Sequence, residues 1–227
     1  MSGEAYRRFP WVFVINPRKI TLCLGGIVLG LVLAHIFVQA YHYFVDELPW
    51  LLREILDPDE EESFATWFSA TNLFISSVLL FVIASKREPD NYKRHWYGLG
   101  AGMAFMSLDE IAGMHETFNT VTDFAWTIPA GFGVIVMILI YWKFLVTLPQ
   151  PMQSRFLVAG ATFLLGGLVV EHFADYYIEA YTMKNFGYNM LTVFEESLEM
   201  IGVVLFIRAL LLSFVKDDQV EIRLAIN

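Results

Sequence analysis

Three short segments of this sequence place acidic residues and histidines inside stretches that are otherwise apolar. In chain order these residues are Asp109, Glu110, His115 and Glu116, then Glu171, His172 and Asp175, and finally Glu195, Glu196 and Glu199. Ionisable side chains are costly inside a membrane, where they are usually paired or functional. The segments therefore hold the candidate site residues, and His35 and Asn72 are additional candidates from two earlier apolar stretches.

Carboxylates and imidazoles on facing helices are the ligands of di-iron and di-manganese sites in helical bundles. Zinc accepts the same ligand types. Spacings of three or four residues, as in His172/Asp175 and Glu195/Glu199, let two groups on one helix face one ion. The Glu-x-x-His spacing of ferritin-like proteins is absent, and His172-x-x-Asp175 reverses it. The sequence therefore matches such metal sites in its types of ligand and not in a spacing motif. Iron or manganese is the favoured metal, and zinc is the alternative.

The composition predicts a membrane protein. Of the 227 residues, 56% are hydrophobic and 17% are charged, against roughly 25% charged in soluble domains. Apolar runs reach about 20 residues, the length of a membrane-spanning helix. We expect an all-α, six-helix transmembrane bundle in a single domain over 1–227. The predicted spans are 20–44, 64–85, 96–118, 125–148, 156–177 and 188–214.

Charge sets the expected orientation. Thirteen of the fifteen Lys and Arg residues fall on the side of the two termini, which predicts cytoplasmic termini in a plasma membrane, the inner membrane if the host is bacterial. The loop 45–62 is then extracytoplasmic, with a short interfacial helix and a solvated acidic run, Asp59–Glu62. The net charge of −9 argues against a nucleic-acid partner. Cys23 is the only cysteine, which excludes an intrachain disulfide and a cysteine metal cluster.

The three acidic segments are predicted to meet at one depth. With a helical rise of about 1.5 Å per residue, all three fall in the outer half of the membrane. On a continuous third span, Asp109, Gly113 and Glu116 share one stripe, and the other two sets each fall on one helix face. Lys and Arg are absent from this layer. So many like charges cannot all stay ionised there, and they must take up protons or cations.

Two functions remain open from these residues. The favoured one is a metal-dependent enzyme that acts on a lipid-soluble substrate from the bilayer. Iron or manganese would activate oxygen, and zinc would hydrolyse a lipid. The alternative is a transporter or channel for protons or divalent cations. The inner halves of the spans lack acids, which favours a closed site unless a homo-oligomer encloses a shared pore. A protonated carboxyl network that only fixes helix packing is a third interpretation.

The chain is also loosely similar to membrane hydrolases of the alkaline-ceramidase kind, which hold zinc with Ser, Asp and His residues. That resemblance implies a zinc-dependent lipid amidase. The sequence departs from the pattern, with six predicted spans in place of seven, no late His-x-x-x-His and many more carboxylates. These departures weaken the expectation of amidase chemistry.

Overall fold

Helices make up nearly all of the described structure, a computed structural model covering residues 11–89, 92–122, 125–181, 185–214 and 220–224. The side chains of residues 11–14, 116, 179 and 220–224 lie outside that description. The helices are α1 (Pro17–Phe44), α2 (Trp50–Leu56), α3 (Phe64–Ser85), α4 (Lys93–Ala112), α5 (Met114–Val121), α6 (Thr127–Thr147), α7 (Gln150–Leu164), α8 (Glu171–Ala180) and α9 (Phe186–Leu212). A π-helical segment, Leu165–Val170, joins α7 to α8.

A short β-ribbon joins the two ends of the described chain. Strand β1 (Trp11–Ile15) pairs antiparallel with β2 (Val220–Leu224), with Trp11 opposite Leu224. The prediction of an all-helical chain did not include this ribbon. It places the segments before α1 and after α9 side by side.

Three helices begin at side-chain caps that the sequence supplies. Asn16 Oδ1 accepts from the Lys19 backbone N–H at 3.1 Å, with Pro17 at the first helical position. Ser63 Oγ accepts from the Thr66 N–H at 3.1 Å, and the Asn185 side chain caps α9 in the same way. These oxygens satisfy N–H groups that the first helical turn leaves without a partner.

Four helices are long and apolar enough to cross a membrane, which fits an integral membrane protein. They are Pro17–Phe44, Phe64–Ser85, Thr127–Thr147 and the continuous Gln150–Ile178. Within the described ranges α4 and α9 do not meet that criterion. Both carry acids predicted to form the site, and acids lower the hydropathy of any helix that contains them.

Helix α9 is central and packs against α1, α3, α7, α8 and the π segment. A methyl group placed on Gly202 would lie 2.7 Å from the Phe163 backbone nitrogen, so α7 and α9 approach closely because residue 202 has no side chain. Toward the ribbon end, the largest apolar cluster includes Leu80, Trp96, Phe144, Phe156, Phe206 and Leu210. The apolar character of this end agrees with the sequence, in which the candidate acids lie in the halves of the spans farther from the ribbon.

The third predicted span, 96–118, is not one continuous helix. Helix α4 ends at Ala112, Gly113 adopts a left-handed conformation with φ of 52°, and α5 begins at Met114. Glycine adopts this conformation without the steric penalty that a side chain brings. The shared stripe predicted for Asp109, Gly113 and Glu116 is therefore wrong, because the helical phase is lost at the break.

Candidate functional site

The break at Gly113 turns the chain so that His115 meets Asp109. His115 Nδ1 lies 2.9 Å from Asp109 Oδ2, and both side chains are about three-quarters buried, with exposures of 25% and 22%. The sequence predicted that both residues belong to one site, but it placed them there on a continuous helix. Glu116, predicted to join them, has its side chain outside the described part of the structure.

Residues at the start of α6 hold Glu171 and His172 of α8. The Trp126 indole N–H donates to Glu171 Oε1, and Thr127 Oγ1 shares a hydrogen bond of 2.9 Å with His172 Nδ1. Neither Trp126 nor Thr127 was predicted as a site residue. Trp126 has the position expected of an interfacial tryptophan, and Thr127 carries no sequence signal that marks it.

The three glutamates of α9 lie on the inside of the bundle. Glu195 is 8% exposed. Glu199 lies over the π segment, where a methyl group on Gly167 would be 2.6 Å from Glu199 Oε1. The absence of a side chain at Gly167 therefore makes the space that the carboxylate occupies. π-helical turns inside α-helices occur frequently at functional sites.

Acids of α4, α8 and α9 lie within electrostatic range of one another. The neighbours of Glu199 include Asp109, Glu110, Glu171 and Glu195. Glu196 also interacts with Glu110 and Glu171, and Glu195 interacts with Glu171 and Asp175. The structure thus brings together acids from all three predicted segments. In the ranges described, no lysine or arginine forms an ion pair with Glu171, Glu195, Glu196 or Glu199.

His35 and Asn72, the two additional candidates, lie on α1 and α3. His35 is 1% exposed, its Nδ1–H donates to the Leu56 carbonyl at 3.1 Å, and its Nε2 atom has no hydrogen-bond partner. The Asn189 carbonyl lies near the ring but does not meet hydrogen-bond geometry. Asn72 Nδ2 donates to the Phe68 carbonyl at 2.8 Å, while its Oδ1 atom is buried and unpartnered.

The acidic loop after α2 folds into the bundle. Gln39 Nε2 donates to Asp57 Oδ2 at 3.1 Å, and the Tyr188 hydroxyl donates to Asp59 Oδ2 at 3.0 Å. Asp59 lies within electrostatic range of His35 and His115. The expectation that the run beginning at Asp59 is simply solvated is therefore wrong for Asp59.

Burial changes the acidity of this loop. It raises the pKa of Asp57 and of Asp59 from 3.8 to about 6 in each case. The neighbouring Glu60 also has a raised pKa, because of partial burial and then because of nearby acids. Farther along the loop, the Glu61 carboxylate occupies the space beside Gly113 where a side chain would lie. The loop thus supplies acids at the end of the bundle where α4 breaks.

Within the described residues, no three His, Cys, Asp or Glu side chains are already arranged around one point as metal ligands. The acids are electrostatic neighbours, and the histidines are hydrogen-bonded to separate partners.

Comparison with known proteins identifies one family. A family model described as a domain of unknown function, DUF8692, matches residues 22–214. No curated protein and no solved structure matches the chain. The matched region runs from the second turn of α1 to just after α9 and includes every candidate site residue. The chain belongs to the DUF8692 family.

Proposed function

We propose that this protein is an integral membrane protein whose intramembrane acids bind divalent metal ions, and that the bound metal acts on a lipid-soluble substrate. Iron or manganese is the favoured metal, and zinc is the alternative. The protein would cross the plasma membrane six times with both termini in the cytoplasm. The site would then lie in the outer half of the bilayer.

The observation that carries this proposal is the mutual proximity of Glu110, Glu171, Glu195, Glu196 and Glu199, with no lysine or arginine of the described residues paired to the last four. Carboxylates with so little solvent must bind protons or cations to be stable. Within the described residues the acids are electrostatic neighbours but are not arranged around one point as metal ligands. We expect the ligand geometry to form on metal binding.

The histidines support a metal in preference to protons alone. Metal-ligating histidines usually donate one ring N–H to a carboxylate, a backbone carbonyl or water, and this bond fixes the tautomer and the ring orientation. His35 and His115 have such a bond at Nδ1, to Leu56 O and Asp109 Oδ2, which leaves Nε2 as the nitrogen for a metal. His172 Nδ1 bonds to the Thr127 hydroxyl, which can donate or accept.

A closed site is better supported than a pathway for ions. A cation that crosses the membrane needs polar groups along its whole route. The half of the bundle near the ribbon is filled instead by the apolar cluster around Leu80, Trp96 and Phe144. The buried hydroxyls of Ser76 and Ser77 in that region donate to backbone carbonyls, at 2.9 and 2.7 Å.

Metal content of variants tests the proposal. Glu171→Ala and Glu195→Ala should each remove at least half of the metal that copurifies with the protein, because each deletes a carboxylate from the centre of the group. Glu88→Ala is the matched control, since Glu88 is exposed in the loop after α3. Normal metal content in both site variants would contradict metal binding by these acids.

The same variants separate the two functions. If the protein transports cations, reconstituted vesicles should take up the cation, and Glu195→Ala should stop the uptake. If the protein is a metal enzyme, the purified protein should contain metal and the vesicles should take up no cation.

A further inference from the structure

A groove with a positively charged rim lies between α7 and α9, away from the acids described above. Its volume is about 200 Å³, and it is lined by Ser154, Arg155, Val158, Leu205, Arg208 and Ala209. The two arginines come from different helices and face the same groove. Together with Ser154 they provide its polar side chains, while Val158, Leu205 and Ala209 provide an apolar floor.

The arginines lie at matching levels. Helices α7 and α9 run antiparallel and pack together through Met152, Phe156 and Leu210. Arg155 is five residues after the first residue of α7, and Arg208 is four residues before the last residue of α9. At about 1.5 Å per residue, each lies roughly 6–8 Å inside the helix end. With the ends of α7 and α9 at the membrane surface, as in the proposed orientation, this is the headgroup level.

Both arginine side chains are exposed, and within the described ranges neither forms an ion pair with a carboxylate. Guanidinium groups bind phosphate oxygens through paired hydrogen bonds, and two of them can hold one phosphodiester from both sides. Basic pockets between transmembrane helices on the cytoplasmic side are typical binding places for anionic lipid headgroups. The apolar floor below the arginines matches the start of an acyl chain.

We propose that this groove binds the phosphate headgroup of an anionic phospholipid, with Arg155 and Arg208 as the binding residues. The acyl chains lie along the apolar surface formed by Val158 and Leu205. This site is independent of the proposed metal site, from which it differs in charge, in depth and in ligand. The groove holds this lipid where α7 and α9 pack together.

The test is native mass spectrometry of the full chain released from mixed micelles that contain equal phosphatidylglycerol and phosphatidylcholine. Wild-type protein should retain phosphatidylglycerol. Arg155→Gln/Arg208→Gln should lower that retention about tenfold or more, because it removes both charge-assisted contacts to the phosphate. The control is Arg18→Gln/Lys19→Gln, which removes the same charge from exposed positions at the start of α1.

Equal losses in the two double variants would show nonspecific attraction and overturn the proposal, as would full retention in Arg155→Gln/Arg208→Gln. If inorganic phosphate competes for the groove as strongly as phosphatidylglycerol does, the groove binds a soluble anion, and the proposal of a lipid site is overturned. If the double variant does not fold, Leu205→Phe replaces it, because it fills the floor and keeps both arginines. That variant should also lose phosphatidylglycerol, and normal retention would contradict the proposed acyl position.

Discussion

At the level of single residues, the acids fall into two environments. Those of α9 are held inside the bundle among other acids, and Glu199 depends on Gly167 for its space. Asp57 and Asp59 lie in a loop, where Gln39 and Tyr188 hold them through hydrogen bonds. The first group is suited to bind a cation. The second joins the loop to the bundle, so its protonation state should control how firmly the loop is docked.

The docked loop should be most stable in acid. The pKa of Asp57 and of Asp59 is about 6 in the folded protein against an ordinary 3.8, so the folded state binds protons more tightly than the undocked loop. Stability is then fully present below about pH 4 and falls as pH rises through about 6. Amide hydrogen exchange of residues 57–63, measured in chelator and corrected for intrinsic rates, should show protection declining over this window.

Asp59→Asn supplies the comparison, because asparagine stays neutral at every pH and still accepts the Tyr188 hydrogen bond. Its loop protection should decline less with pH than that of the wild type. Protection that rises with pH, or an equal decline in both proteins, would contradict the role given to Asp59.

The types of residue in the sequence were enough to identify the candidate site side chains, but not all of the residues that contact them. An acid or histidine in an apolar run is a strong signal, and the three segments were found from it. Asp59 was misjudged because an acidic run in a loop usually faces solvent, and its burial depends on Tyr188, 129 residues away. Trp126 and Thr127 were missed because their contacts with α8 are tertiary and leave no local pattern.

At the level of elements, the apolar runs predicted most helix limits well. Helix α3 spans Phe64–Ser85, the predicted limits, because Ser63 caps its start and the charged turn after Ser85 ends the apolar run. The break at Gly113 was not predicted, since one glycine in an apolar run is compatible with a straight helix. The π segment was also missed, because an added residue in one turn barely alters hydrophobic periodicity.

The π segment provides an element-scale prediction. In Gly167→Ala the new methyl group would lie 2.6 Å from Glu199 Oε1 and 3.1 Å from its Cδ atom, so the carboxylate must move. Metal content should fall severalfold, while stability should change by less than about 1 kcal/mol, because the atoms that must move are the far end of a flexible side chain. The readouts are metal analysis and thermal unfolding in detergent.

Gly160→Ala on α7 is the control, because a methyl group there meets nothing within 4 Å. It should keep both metal content and stability. A normal metal content in Gly167→Ala, with Glu199 displaced, would show that the position of Glu199 does not matter for binding.

At the level of the whole molecule, the bundle has two ends of opposite character. One end holds the acids of α4, α8 and α9 and the folded-in loop, and the other holds the apolar cluster, the groove between α7 and α9 and the β-ribbon. The sequence indicated this polarity, since the acids of the third, fifth and sixth apolar runs lie in one half of each of those runs. The exact meeting of the acids depends on helix packing around α9, which glycines such as Gly202 permit.

The most direct test of the central claim is elemental analysis of the wild-type protein, purified in mild detergent without chelator and without a nickel column. The proposal predicts a stoichiometric divalent metal, with about two equivalents of iron or manganese for a carboxylate-bridged pair of ions. Stoichiometric zinc would support the hydrolytic form of the same site. Folded protein that contains no metal, and takes up none when iron, manganese or zinc is added, would contradict the account.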